Sequence, residues 1–206
     1  RMNAIREIKP NAQVAIVESG TILDSIHQAV DAHDLIFPLF FGARGSAMIG
    51  GNLSTNAGGS NVLRYGNTRD LCLGVEVVLA DGRVMNLMSE LRKDNTGLNL
   101  KHIIIGAEGT LGIITAAVLR LYRKPLAYVT AMVGLKVLEE SLPLLNRLQN
   151  ETGSGVEAFE FMPRSYIERH LEKIQGAIEP FDSAHEVNIL VEVATTRTSD
   201  LEHDAS

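Results

Sequence analysis

The run Ile49–Asn67, IGGNLSTNAGGSNVLRYGN, carries the glycine pairs Gly50-Gly51 and Gly58-Gly59 with Asn52, Ser54, Thr55 and Asn56 between them. Long aliphatic side chains are scarce in it. It is poor material for a helix interior or a strand, and is expected to be a turn-rich loop or a place where a ligand comes very close. Backbone N–H groups with no Cβ between them can turn inward as an anion nest, or lie flat against a ring system. The Asn and hydroxyl side chains add donors and acceptors for the edge of a polar heterocycle. A surface loop punctuated by turn glycines explains the same residues. Two nucleotide motifs are missing: no Lys-Ser/Thr ending follows the glycines as in an ATP-binding loop, and the G-x-G-x-x-G turn of a dinucleotide fold is not there.

A second segment, IGAEGTLGII from Ile105 to Ile114, places Gly106, Gly109 and Gly112 three residues apart in an apolar setting. Glu108 stands among them, where an unpaired carboxylate is costly if buried. It can accept from a ligand hydroxyl or cap a nearby helix. Two small-residue segments, separated by a hairpin able to bring them together, would make a seat for a cofactor.

The elements that must position these segments follow from pattern. AIREI and QVAIVES alternate as strands joined by a Pro-Asn turn. Thr21 is the expected N-cap of a helix, with Asp24 closing a capping box; Ile22, Leu23, Ile26, Ala29 and Val30 then recur at helical spacing. That helix should end near His33–Asp34, before Pro38. LCLGVEVVLADGRVMNL reads as a hairpin turned at Asp81-Gly82 by a two-residue turn, and a strand is expected from about Ile113 to Tyr122. Beyond Pro125 the pattern becomes strand, helix, strand, helix, strand, with Pro143 in the first turns of its helix. An α+β layer with helices on one face is expected there, after a domain boundary at about Pro125.

The chain has 206 residues, 45% apolar and 21% charged, with a formal net charge of −6. No cluster of Lys and Arg offsets that charge, so nucleic acid and anionic membrane surfaces are not expected partners. No apolar stretch is long enough for a membrane span, and no secretory signal pattern is found. Cys72 is the sole cysteine, so neither an internal disulfide nor a thiol metal cluster is expected. The expected compartment is reducing: the cytoplasm, or the mitochondrial matrix for a eukaryotic source. Arg1 precedes Met2 and a polar tail ends the chain; both ends read as those of a piece of a longer protein.

The stretches GARGSAMIGGNLSTNAGGSNVLRYGNTRDLCLGVEVVLADGRVMNL and LRKDNTGLNLKHIIIGAEGTLGIIT resemble the FAD-binding domain of the vanillyl-alcohol-oxidase-type (PCMH-type) flavoproteins. The resemblance is greatest to the branch containing D-2-hydroxyglutarate dehydrogenase, D-lactate dehydrogenase and the FAD subunit of glycolate oxidase. It runs from about Val14 to Arg123 and implies an α+β fold. Residues 1–125 would be the second half of a two-subdomain FAD-binding domain, and residues 126–206 the start of an α+β cap domain. The implied cofactor is noncovalent FAD. Ile49, Gly50, Gly51, Thr55, Asn56, Gly58 and Gly59 would form the flavin-side wall, with Gly66 turning the chain away. Glu108, Gly109, Gly112, Ile113 and Ile114 would line the run towards the adenosine end. The implied activity is oxidation of a D-2-hydroxy acid to the 2-oxo acid, with electrons leaving to an unidentified acceptor; a homodimer is an assembly open to such a protein. The family's first pyrophosphate loop would precede Arg1, and its His-rich metal and substrate motif would follow Ser206. A divalent metal would therefore belong to the full-length protein and not to this chain, and no catalytic base is assigned within it.

Phe40-Phe41 and Leu98-Asn99 depart from the family pattern, which has an acidic residue with Leu at the first place and Tyr-Asp at the second. His27, His33, His102, His170, His185 and His203 lack metal-ligand spacing. No G-x-S-x-G elbow points to a hydrolase. Arg64 and Arg69 flank Tyr65 and can reach a phosphate or carboxylate, or form surface salt bridges. Two other readings stay open: a flavin-dependent transferase of the alkylglycerone-phosphate synthase kind, and a non-catalytic nucleotide-binding module.

Overall fold

The computed structural model describes residues 2–196, and the chain forms two compact units, Arg1–Lys124 and Pro125–Ser206. The first is built on a five-stranded sheet of order β1-β2-β6-β4-β5. Strands β1 (Ile5–Lys9) and β2 (Val14–Glu18) are the alternating pair at the start, joined at the Pro-Asn turn. Helix α1 (Leu23–Asp31) buries Leu23, Ile26 and Val30, the face its periodicity marks. Thr21 does not cap it: the N-cap is Ile22 with no side-chain bond, and Thr21 Oγ1 instead donates to Ala4 O at 3.3 Å, tying α1's approach to β1.

The chain continues through β3 (Leu35–Ile36), α2 (Ile49–Ser54), α3 (Val62–Tyr65), β4 (Cys72–Val78), β5 (Val84–Leu87), α4 (Lys101–Ile104), β6 (Ile113–Arg120) and β7 (Tyr122–Arg123). β6 lies between β2 and β4, antiparallel to both. The β4–β5 connection is longer than the two-residue turn expected, because Leu79 N–H donates to Arg83 O at 2.9 Å and Gly82 takes φ +84. One face of the sheet packs Ala15, Val17, Val75, Val77, Ala117 and Leu119 against α1, Phe37, Leu39 and the α2 residues Ile49 and Leu53. Most of these are fully buried, and each such side chain contributes about 1.5–3 kcal/mol. Cys72 is within this core; burial pushes its thiol up to about 12, so it stays protonated.

The second unit is a three-stranded antiparallel sheet of order β8-β10-β9, from β8 (Ala127–Leu135), β9 (Val156–Pro163) and β10 (Val187–Thr195). Helices α5 (Ser141–Glu151) and α6 (Arg164–Lys173) fill the two connections between successive strands. Pro143 sits in the first turn of α5, where it is tolerated. Leu145 and Leu148 of α5 pack on Val156, Ile189, Val191 and Val133.

Arg164, at the start of α6, holds the loop that leads back to β10: its Nη1 and Nη2 donate to Glu179 Oε1 and Oε2 at 2.7 and 2.9 Å, and its Nε to Glu168 Oε1 at 3.1 Å. These hydrogen bonds hold the Glu179 carboxyl below its ordinary value of 4.5. A depressed native pKa contributes stability that is present above the unfolded value and lost as pH falls through the native one. The stability advantage of the natural chain over Glu179→Gln should therefore be full at neutral pH and shrink towards zero as the pH drops below 4.5. Urea midpoints measured across that range check this; a pH-independent advantage would refute it.

Candidate functional site

The Ile49–Asn56 stretch is not a loop. Residues Ile49–Ser54 form helix α2, despite two glycines that each cost about 0.5–1 kcal/mol relative to Ala in a helix. Packing overrides propensity here. Ile49 and Leu53, one turn apart, are wholly buried, and Asn52 is nearly so. The entry to α2 is pinned by Leu23 N–H to Ala47 O at 2.9 Å, Ile49 N–H to Thr21 O at 3.0 Å and Gly50 N–H to Ser19 O at 2.7 Å.

The glycines divide into two kinds. A Cβ on Gly50 would lie 2.6 Å from Ser19 Cβ, and one on Gly59 would lie 2.4 Å from Phe40 O, so both are needed for close contact inside the protein. The same holds at Gly112, where a Cβ would meet Val77 Cγ1 at 2.7 Å. At Gly51 a Cβ would meet nothing within 4 Å, and at Gly109 only Ile113 Cδ1 at 3.7 Å. Gly58 is exposed, with Asn67 Oδ1 3.1 Å from an added Cβ. Gly66 ends α3 at φ +82, beside the Asp70 carboxylate. Thr55, Glu108 and Ile113 are exposed, while the Ile49 and Ile114 side chains point into the core. The Ser54 and Thr55 hydroxyls donate back to Gly50 O and Gly51 O at 2.7 and 3.1 Å, which leaves them acceptors.

The structure brings the two glycine segments together. Gly106 N–H donates to Leu53 O at 3.0 Å and Glu108 N–H to Ser54 O at 2.9 Å, so the second segment is hydrogen-bonded to the C-terminal turn of α2. Left-handed backbone supplies the corners: Asn56 (φ 49), Gly106 (φ 87), Glu108 (φ 51) and Gly109 (φ 79). The Glu108 side chain is exposed, so no burial cost arises, and none of the helices from α1 to α6 has a side-chain N-cap, which removes the capping role considered for it.

Among the described residues Arg69 forms no salt bridge. Its main-chain N–H donates to Asn56 Oδ1 at 3.0 Å and its Nη2 to Ile105 O at 2.6 Å. Nothing in its sequence neighbourhood signals this role. Nearby, Asn52 Nδ2 is buried without a hydrogen-bond partner, a donor left over in a helix that faces open space at Gly51. Buried polar groups normally have a partner, protein or water. An open, side-chain-free helix face, the exposed polar groups of Thr55 and Glu108 and the left-handed corners together fit the polar edge of a flat dinucleotide.

A cavity of about 610 Å³ lies beyond these segments, lined by Leu73, Asn86, Arg92, Asp94, Asn99 and Lys101 among others, and no glycine-segment residue borders it. Leu98 and Asn99, the family departures, sit on its wall. Among the described residues no three His, Cys, Asp or Glu side chains are grouped to hold a metal ion. The His27 ring packs on that of Phe40 at a centroid distance of 4.6 Å and a tilt of 36°; burial, then Arg44, lowers its pKa and favours the neutral ring.

Residues 1–88 match the model of a family described as an FAD binding domain. A D-2-hydroxyglutarate dehydrogenase from Danio rerio, named as mitochondrial, is 42% identical over 174 residues, covering 83% of this chain and 33% of its own length. A D-2-hydroxyglutarate–pyruvate transhydrogenase from Saccharomyces cerevisiae is 36% identical over 203 residues, covering 98% of this chain and 40% of its own length. The chain thus spans about a third to two-fifths of these curated relatives. Among solved structures, an alkyldihydroxyacetonephosphate synthase aligns with 100% of this chain and 40% of that chain, at a TM-score of 0.78 and 19% identity, a likeness of fold.

Proposed function

We propose that the match of residues 1–88 to the FAD-binding domain family reflects membership of it, and that the chain works within a flavoprotein dehydrogenase that oxidises a D-2-hydroxy acid to the 2-oxo acid. The observation that carries the reading is the pair of main-chain bonds, Gly106 to Leu53 and Glu108 to Ser54, that join two glycine segments into one wall. The names of the relatives supply the substrate class. In this reading the first unit is one part of the FAD-binding domain and the second is the start of a cap over the substrate.

Bound FAD supplies a two-electron acceptor for the substrate C2–H bond. The chain's own residues bind and orient it. Gly51 and Gly109 leave room for close approach, Asn52 Nδ2 and the Asn56 side chain offer polar partners, and the Thr55 hydroxyl and Glu108 carboxylate offer acceptors. Gly58 borders the same wall. Gly50, Gly59 and Gly112 act one layer back by letting the wall pack against Ser19, Phe40 and Val77, with Ile49 and Ile114 anchoring it to the core. Gly66 turns the chain out of the wall. The acid–base group and any divalent metal belong to parts of the longer protein that this chain does not include. The electron acceptor is a separate molecule. For a eukaryotic source we place the protein in the mitochondrial matrix, in line with the Danio rerio relative's name, and otherwise in the cytoplasm. Among the described residues no helix is long and apolar enough to cross a membrane.

The test is to purify the longer protein and record its visible spectrum. We expect bound FAD whose absorbance near 450 nm (roughly, as for free flavin) bleaches on adding D-2-hydroxyglutarate or D-lactate without oxygen. A flavin that stays oxidised with every D-2-hydroxy acid but supports ether-bond exchange on an acylated dihydroxyacetone phosphate would favour the transferase. Absence of any flavin would refute the oxidoreductase.

A further inference from the structure

We propose that Arg69 is a positioning residue of the cofactor wall, clamping the two glycine segments to each other so that their left-handed corners keep one fixed spacing. The inference rests on the cofactor reading above, but its geometry belongs to the chain alone.

Arg69 lies between α3 and β4, in neither glycine segment, yet it touches both. Its main-chain N–H holds the side chain of Asn56, the left-handed residue that follows α2. Its guanidinium holds Ile105 O, the carbonyl immediately before left-handed Gly106. The head group also lies flat enough on Gly106 that a Cβ there would be 2.8 Å from Nη2 and 3.4 Å from Asn56 Cβ. A single residue therefore spans Asn56 and Gly106, whose peptide groups flank the Gly106–Leu53 and Glu108–Ser54 bonds.

The choice of residue needs explaining. Among the described residues no carboxylate stands within ion-pair distance of Arg69, and its Nε is buried with no partner. An uncompensated, partly buried cation is a net cost unless its shape is used. The guanidinium makes one bond here, Nη2 to Ile105 O, while the main-chain N–H of the same residue holds the Asn56 side chain; the planar head group fixes Nη2 beside Gly106 at little loss of rotamer freedom, which the freely rotating ammonium of Lys does not. Asn56 and Glu108 both hold left-handed backbone, and such corners persist when neighbours over-determine them. The Arg69 main-chain N–H does so through the Asn56 side chain, and its guanidinium does so for the peptide that enters Gly106.

The experiment compares the natural chain with Arg69→Gln, Arg69→Lys and the surface control Arg83→Gln, whose partner is Asp81 on the hairpin turn. Hydrogen exchange at the Gly106 and Glu108 amides is read without cofactor. We expect exchange to quicken by about tenfold or more in Arg69→Gln, the effect of losing roughly 1–1.5 kcal/mol of local hydrogen bonding, with the β2 and β6 amides unaffected. Arg83→Gln should change none of them. FAD is then titrated into the longer protein carrying each of these substitutions. The bound flavin should show an altered visible circular dichroism and a dissociation constant raised about tenfold in Arg69→Gln, with an unchanged thermal midpoint. Unchanged amide exchange in Arg69→Gln, or equal acceleration throughout the sheet, would overturn the clamp. If Arg69→Gln does not fold, Arg69→Lys decides by the same readouts, because it keeps the charge and the main-chain bond to Asn56 but loses the rigid planar head group that fixes Nη2 on Ile105 O. Should the longer protein bind no FAD, the functional reading falls, while the exchange rates still decide whether Arg69 clamps the segments.

Discussion

Gly50→Ala is expected to destabilise the first unit by about 1–3 kcal/mol, whereas Gly51→Ala, one residue on, should stabilise it by up to about 1 kcal/mol. Both glycines are in helix α2, so the backbone propensity gain on adding a methyl is the same. The surroundings decide the sign. At position 50 the methyl would sit 2.6 Å from Ser19 Cβ and 2.9 Å from Ser19 O, and Gly50 N–H is already bonded to that same carbonyl at 2.7 Å, so the two chains cannot part without losing the bond. At position 51 the methyl enters open space. The cofactor reading adds a second, opposed effect. Gly51→Ala should lower FAD affinity by roughly tenfold or more, because the methyl occupies the approach that the open helix face provides. Urea unfolding and flavin titration of the two variants are enough to check this. If both variants moved stability in the same direction, the division of the glycines into packing and cradle positions would be wrong.

Gly112→Ala should be the most damaging of the small substitutions in the second segment, at about 2–6 kcal/mol, from backbone strain of about 1–3 and overpacking of about 1–3 kcal/mol. Its φ is +153, a region nearly closed to side-chain-bearing residues, and the added methyl would meet Val77 Cγ1 at 2.7 Å and Val78 O at 2.9 Å on strand β4. Gly109→Ala is the comparison. It also has a positive φ, +79, but the nearest atom is Ile113 Cδ1 at 3.7 Å, so only the left-handed penalty of about 1–2 kcal/mol applies. The consequence for function is specific: a Gly112 variant would lose flavin along with its fold, while a Gly109 variant that loses flavin would stay folded. Equal thermal midpoints for the two variants would contradict this ranking.

Alternating and periodic stretches were legible because side-chain pattern dictates which face is buried. The pairs β1–β2 and β4–β5, helix α1 and the strand–helix order of the second unit all follow from it. Helix α2 was not legible. IGGNLS has the composition of a loop, and only the burial of Ile49 and Leu53 against elements distant in sequence makes it a helix. Thr21 failed as a cap for a related reason: a hydroxyl bonds whichever acceptor the tertiary fold brings within reach, here Ala4 O. The meeting of the two glycine segments could be anticipated from the intervening hairpin. Which glycine serves packing and which faces outward depends on neighbours that no local pattern names. Arg69 is the extreme case, since its partners Asn56 and Ile105 lie 13 and 36 positions away.

The order β8-β10-β9 puts the last strand of the second unit between its two predecessors. During synthesis, therefore, β8 and β9 emerge with no neighbour to pair with, and must wait for Val187–Thr195 to clear the ribosome before either finds its ladder. A nascent chain that has emerged only as far as some point between Arg164 and Glu186 would present two bare strand borders, the kind of surface on which chaperones act and aggregates seed.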